Sequence, residues 1–203
     1  LKRRLSIQDI SLGFLRLIRW PNLLIIALTQ YMARVFLIGP VSEWKLILGE
    51  SSIFLITLST VLIAAAGYVI NDYFDVKIDL INKPERVIIG RYLKRRVAMT
   101  THQVFNVLGC AIGLYVSKWV FLVSVLSVTL LWLYASFFKK RPFIGNVIVS
   151  LLTALSLIIL IVYYPQNREL VGLYALFAFG ITLIREIIKD MEDIRGDVRH
   201  GCK

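Results

Sequence analysis

The chain has 203 residues, 58% of them hydrophobic, with a mean hydropathy of +0.73 and a formal net charge of +11. So apolar a composition excludes an ordinary soluble domain, and with it the nucleic-acid partner that such a charge would otherwise invite. The two cysteines, Cys110 and Cys202, stand far apart without metal-ligand spacing, so neither a disulfide framework nor a zinc site is expected.

Residues 1–20 open with Lys2-Arg3-Arg4, and no cleavable signal peptide is expected in them. Leu5, Leu12, Leu15 and Ile18 can form an apolar stripe that Arg16 and Arg19 avoid. Residues 1–20 are therefore either a short helix lying on an anionic membrane surface or a charged flank to the first span. Pro21 suits a first helical turn, where its missing N–H is not needed. The first span is predicted over 21–38, with Arg34 snorkelling outward. A polar connection over 39–51 leads to a second span over 52–79. Near its end Ala64-Ala65-Ala66-Gly67 offers small residues for a close helix neighbour. Pro84 is expected to end that helix, because the residue before a proline resists helical dihedrals.

A basic loop over 80–96 follows, carrying Lys83, Arg86, Arg91, Lys94, Arg95 and Arg96. Further spans fit 97–117, 119–138, 143–164 and 170–188, each near the length a bilayer requires. His102 and Gln103 fall inside the third span and are assigned to helix packing. The fold class is thus all-α, a polytopic transmembrane helical bundle with six spans. If the ends of spans two and six face the cytoplasm, only Arg34, Lys45, Lys118 and Arg168 of the 24 basic residues lie opposite. The positive-inside rule then places those two ends on the cytoplasmic side of an inner or cytoplasmic membrane.

Those ends carry the informative chemistry. In Asn71-Asp72-Tyr73-Phe74-Asp75-Val76-Lys77-Ile78-Asp79 the three aspartates are spaced by three and four, which keeps them within an arc of roughly 60° on a helix. Asn71 sits at the margin of that face. Like charges so arranged repel each other, a cost near a membrane that a bound cation removes. Asp190, Asp193 and Asp197 repeat the spacing after the apolar run 170–184; Glu186 shares their face and Glu192 does not. A solvated helix end would explain one such cluster. Two clusters with one spacing, each closing a span, point instead to hard divalent cations such as Mg²⁺, which take carboxylates together with substrate phosphates. A divalent-cation transporter is the reading outside the enzymes, although its ligands belong at mid-membrane depth on broken helices.

The stretch 71–79, continued by Asn82-Lys83-Pro84-Glu85-Arg86, resembles the first aspartate-rich motif of the UbiA family of intramembrane prenyltransferases. Residues 190–197 resemble the second, in the same order and at a similar separation. Arg16-Leu-Ile-Arg19-Trp20-Pro21-Asn22 is similar to the family's approach to its first helix, where the Asn lies near the diphosphate. Tyr134-Ala-Ser136-Phe-Phe-Lys139-Lys140-Arg141-Pro142, then Gly145-Asn146, is similar to the connection where a Tyr, a Ser and a Lys line the polar end of the cavity. A plain basic turn would look the same.

The resemblance implies a helical membrane enzyme that transfers a prenyl group from an isoprenoid diphosphate to a lipophilic acceptor. Mg²⁺ would be held by Asn71, Asp72, Asp75, Asp79, Asp190, Asp193 and Asp197, the six aspartates being the catalytic set. Asn22, Asn71, Lys83, Arg86, Tyr134 and Lys139 would bind substrate. Tyr68, Tyr73, Phe74 and Tyr134 are placed to face an allylic cation, which aromatic rings stabilise and an apolar cavity shields from water. The two motifs look most like those of members whose acceptor is a geranylgeranylglycerol-phosphate-type lipid, and the surplus of Lys and Arg near them suits a second phosphate. The alternatives are an aromatic quinone precursor (hydroxybenzoate or naphthoate) and haem. Val87-Ile88-Ile89 stands where the family commonly continues with a proline. Because members carry about nine spans, residues 1–203 are expected to be one membrane-embedded domain truncated at its C-terminus.

Overall fold

The computed structural model describes residues 7–82, 87–139, 141 and 143–199. Its helices are α1 (Ile7–Leu17), α2 (Trp20–Ala33), α3 (Trp44–Leu48), α4 (Ser51–Asn82), α5 (Arg95–Val116), α6 (Lys118–Leu133), α7 (Ile144–Tyr163) and α8 (Arg168–Arg199). Six helical segments are long and apolar enough to cross a membrane: Trp20–Ile38, Ser51–Lys77, Arg95–Val116, Lys118–Phe138, Ile144–Tyr163 and Arg168–Glu192. These fall on the six predicted spans. The short α3 breaks the connection over 39–51 that the sequence reads only as polar. Pro84 lies outside the described residues; α4 runs to Asn82.

Helix α4 is the most buried of the spans and forms the axis of the bundle, packed by α2, α5 and α6. Small residues make this possible. A Cβ on Gly109 would lie 2.7 Å from Ile63 Cγ1 and 3.1 Å from the Ser59 carbonyl oxygen, so α5 approaches α4 almost backbone to backbone. A Cβ on Gly67 would meet Leu131 of α6 at 2.6 Å, which fulfils the expectation for the run 64–67. We expect Gly109→Val to lower stability by about 1–3 kcal/mol, the usual cost of overpacking. Thermal unfolding in detergent reads this; an unchanged midpoint would show that the two helices can part freely.

Polar pins reinforce the packing. Gln30 is fully buried, and its Nε2 donates to Thr60 Oγ1 at 3.1 Å and to the Ser156 carbonyl at 2.7 Å, which ties α2 to α4 and α7. Ser59 Oγ donates to the Gly109 carbonyl at 2.8 Å. His102 is buried, with Nδ1 2.9 Å from the Ala66 carbonyl oxygen and its ring against Trp132, in keeping with a packing role. Gln103 is exposed instead, since it follows His102 by one residue and so turns away from the helix pair.

Arg34 corrects another expectation. It does not snorkel outward: Nη2 donates to Glu50 Oε2 at 2.8 Å, and its guanidinium stacks 4.4 Å from the Tyr164 ring centroid. Tyr164 donates to the other Glu50 oxygen at 2.7 Å, and burial beside that carboxylate raises the pKa of the hydroxyl, keeping it a donor. A π-turn over Arg34–Ile38 carries this arginine to the junction of α2, α4 and α7 at the end of the bundle away from the acidic faces. At the opposite end, Leu17 of α1 is buried with Val69, Val76, Val87, Ile89 and Ala98, while Leu12 and Leu15 stay exposed. Helix α1 thus anchors through Leu17, with Gly13 close to Tyr92 and Phe14 edge-on to Phe105, and keeps Leu12 and Leu15 of its apolar stripe on the outside while Ile18 packs inward. Phe177, Ile181 and Ile184 of α8 also point outward, a pattern suited to lipid rather than water.

Candidate active site

The acidic end of α4 is met by the N-terminus of α2, the C-terminus of α6 and the N-terminus of α7, and α8 packs against α7. On α4 the residues Tyr68, Asp72, Asp75 and Asp79 follow one another at steps of four, three and four, so all share one stripe. Asp79 is half-buried one turn beyond Asp75.

Arg19 enters from the junction of α1 and α2. Its backbone is left-handed, φ 51° and ψ 54°, at a cost of roughly 1–2 kcal/mol for a residue with a Cβ. The turn aims Nη2 at Asp72 Oδ1, 3.2 Å away, and lays the guanidinium 4.9 Å from the Tyr68 ring centroid. Asn22, one turn further, donates to the Tyr68 hydroxyl at 3.3 Å. Sequence reasoning placed Asn22 at the site and left out Arg19, whose left-handed turn has no composition signal.

Lys139 is delivered by a second π-turn, Tyr134–Phe138, in which the Lys139 N–H donates to the Tyr134 carbonyl at 2.9 Å. A turn that closes over five residues brings residues five apart onto one side, whereas an α-helix would separate them by about 140°. Lys139 Nζ donates to Asn71 Oδ1 at 3.1 Å and also pairs with Asp75 Oδ2. Asn71 in turn donates to Asp75 at 3.2 Å. Ser136 is differently occupied: its hydroxyl donates to the Trp132 carbonyl of its own helix at 2.7 Å.

The second motif joins through α7. Phe143 (φ 69°) turns the chain into that helix, and at Gly145 a Cβ would sit 3.1 Å from the Phe138 carbonyl oxygen and 3.5 Å from Tyr134 Cε2. The next residue, Asn146, donates to Asp190 Oδ2 at 2.8 Å. Tyr134 lies within electrostatic range of Asp75 on the first acidic face and of Glu186 and Asp190 on the second. Asn146 stands in a stretch the sequence singled out, yet only the structure ties it to Asp190. Asp193 and Asp197 lie on α8 with side chains outside the described residues, as are Lys83 and Arg86 altogether.

The four aromatic candidates divide. Tyr68 and Tyr134 stand on the acidic side. The Tyr73 ring already carries Arg95, 4.6 Å from its centroid, and Phe74 packs edge-on to Trp132, so both serve the α4–α5–α6 contact.

Among the described residues no three His, Cys, Asp or Glu side chains gather as a metal cluster. The donor set nevertheless suits a hard cation: Asn71 Oδ1 and Asp75 Oδ2 converge on one point, where they accept from an ammonium group. Carboxylate and amide oxygens are the ligands that Mg²⁺ takes.

A model of the UbiA prenyltransferase family matches residues 20–203. The chain is 32% identical over 198 residues to digeranylgeranylglyceryl phosphate synthase of Sulfurisphaera tokodaii, covering 94% of this chain and 67% of that protein. It is 32% identical over 191 residues to the Thermococcus kodakarensis enzyme of the same name, covering 94% and 66%. A solved structure from work on digeranylgeranylglyceryl phosphate synthase in membranes superposes with a TM-score of 0.76 at 28% identity, covering 95% of this chain and 67% of that one. The chain thus spans about two thirds of the length of these relatives.

Proposed function

This chain belongs to the UbiA prenyltransferase family, an integral multi-pass membrane protein, and on that footing we propose that it transfers a prenyl group from an isoprenoid diphosphate to the hydroxyl of a geranylgeranylglycerol-phosphate-type lipid. The observation that carries the proposal is that one connection, between α6 and α7, reaches both acidic faces: Lys139 pairs with Asp75 and Asn71 on the first, and Asn146 donates to Asp190 on the second. Residues 1–203 are read as one membrane-embedded domain.

Asn71, Asp72, Asp75 and Asp79 from α4, with Asp190, Asp193 and Asp197 from α8, would hold Mg²⁺. Bound there, Mg²⁺ supplies charge neutralisation for the departing diphosphate. Lys139 and Arg19 are positioned to donate to phosphate oxygens and so stabilise charge that grows as the allylic C–O bond breaks. Asn22 orients the Tyr68 ring. Tyr68 and Tyr134 offer their faces to the allylic cation, and the apolar spans exclude water from it. Lys83 and Arg86 are assigned to the acceptor phosphate.

The site is read as cytoplasmic. Lys77, Arg91, Lys94, Arg95, Arg96, Lys139 and Arg141 gather at its end of the bundle, and Arg34, Lys45, Lys118 and Arg168 at the other.

The test is product analysis by mass spectrometry, using the protein as its gene encodes it with geranylgeranyl diphosphate, Mg²⁺ and a panel of acceptors. The expected product is an ether-linked glycerophospholipid, depleted by Arg86→Ala. Prenylation of a hydroxybenzoate, a naphthoate or haem, with the glycerophosphate lipid ignored, would overturn the acceptor and leave prenyl transfer standing.

A further inference from the structure

Glu186 is a carboxylate that the diphosphate site leaves without a task. Its side chain is 10% exposed, against 15% for Asp75 and 25% for Asp72. On α8 it is flanked by the outward-facing Ile184 and Ile188, so its burial comes from its own face of a helix that packs on α7, within electrostatic range of Tyr134. A buried acid at membrane depth is costly, and such residues mark function more often than packing. Lys189 donates to Oε2 at 3.2 Å, while Arg185 stays 3.9 Å from Oε1. Among the described residues, Oε1 therefore accepts no hydrogen bond and remains open as a proton acceptor.

Its depth is the second observation. Glu186 precedes Asp190 by one turn, which puts it about 6 Å further into the bundle. An isoprenoid whose diphosphate is held at the span ends runs inward from there, so its first carbon reaches that level. The hydroxyl that attacks that carbon must arrive at the same depth.

We infer that Glu186 is the general base of the transfer, taking the proton of the acceptor hydroxyl. This rests on the reading that the acceptor reacts through a hydroxyl. The allylic C–O bond breaks and its electron pair leaves with the diphosphate. A lone pair of the hydroxyl oxygen forms the new C–O bond, and the O–H electrons stay on that oxygen as the proton passes to Glu186 Oε1. Nothing is oxidised or reduced. Lys189, paired with Glu186 Oε2 and 57% exposed, links the carboxylate to solvent after the step.

The test separates ionisation from ether formation in the full-length protein. Ionisation is read as scrambling of ¹⁸O from the bridging position of geranylgeranyl diphosphate, with an acceptor analogue that lacks the hydroxyl. Ether formation is read with the acceptor itself. Glu186→Gln should leave scrambling within about threefold of wild type and lower ether formation by about 10²–10⁴, the range of a general base. Glu186→Asp should fall between. Ether formation by Glu186→Gln near the wild-type rate would overturn the inference. So would a parallel loss of both readouts, which would assign Glu186 to the diphosphate. If Glu186→Gln does not fold, Glu186→Asp decides on the same readouts: loss of ether formation alone supports the base, and parallel loss or none overturns it. A wild-type protein that scrambles label but forms no ether would instead bring down the acceptor reading.

Discussion

Asp75→Ala is expected to lower turnover by about three orders of magnitude, the rate equivalent of about 4 kcal/mol of lost transition-state stabilisation. Asp75 is where two partners meet: Asn71 donates to it, Lys139 pairs with it, and both contacts come from groups read as binding substrate. Removing its carboxylate takes away a cation ligand and also frees Lys139 from its place beside Asn71. Asp190→Ala should cost a similar amount, because it strips the partner of Asn146 from the facing helix. Asp193→Ala should behave like Asp190→Ala. Glu192→Ala, exposed and off the acidic face, should stay within about threefold of wild type, the scale of a lost surface charge. All four variants should melt normally in detergent, since these acids sit at span ends and not in the apolar core. Near-normal turnover by Asp75→Ala in a folded protein would refute the reading that the two acidic faces do the chemistry.

What the sequence made legible was whatever has a period. Apolar runs of membrane length located all six spans, and steps of three and four among the aspartates located two faces without any coordinates. The same arithmetic also reaches Tyr68, four residues before Asp72, although an aromatic in a span reads first as packing. What stayed illegible depends on local departures from the helical period. An ideal α-helix puts Tyr134 and Lys139 on different sides, and only the π-turn between them lets Lys139 reach Asn71 while Tyr134 meets both motifs. The π-turn at Arg34 likewise turns an expected snorkel into an internal ion pair with Glu50. Arg19 needed a left-handed backbone to find Asp72, and nothing in Ile-Arg-Trp-Pro announces one. Long-range polar partners were the other blind spot. Gln30 reaches Ser156 across 126 residues, and no pattern within a window can foresee that.

Chelation should abolish turnover, and added Mg²⁺ should restore it. The reason is charge. Asp72 and Asp75 already lie within electrostatic range of each other, as Asp75 and Asp190 do of Tyr134, and a diphosphate brings further negative charge to them. Two like unit charges about 4 Å apart repel by about 4 kcal/mol at an effective dielectric of 20, so a few such contacts would exceed the affinity of an ordinary substrate. Lys139 and Arg19 cannot offset this alone, since each is already paired with an aspartate. Electrostatic bookkeeping at a phosphate site is incomplete without the cation's own charge. The loss should therefore appear first in binding: in excess EDTA, equilibrium dialysis of radiolabelled geranylgeranyl diphosphate against the full-length protein should show affinity weakened by at least about a hundredfold, equivalent to about 3 kcal/mol. Mg²⁺ should restore both affinity and turnover. Ca²⁺ should restore affinity better than turnover, because it accepts looser geometries than the near-octahedral one that Mg²⁺ imposes. Full turnover in excess EDTA would show that the aspartates serve the fold or the membrane surface, and that the diphosphate is neutralised by basic side chains alone.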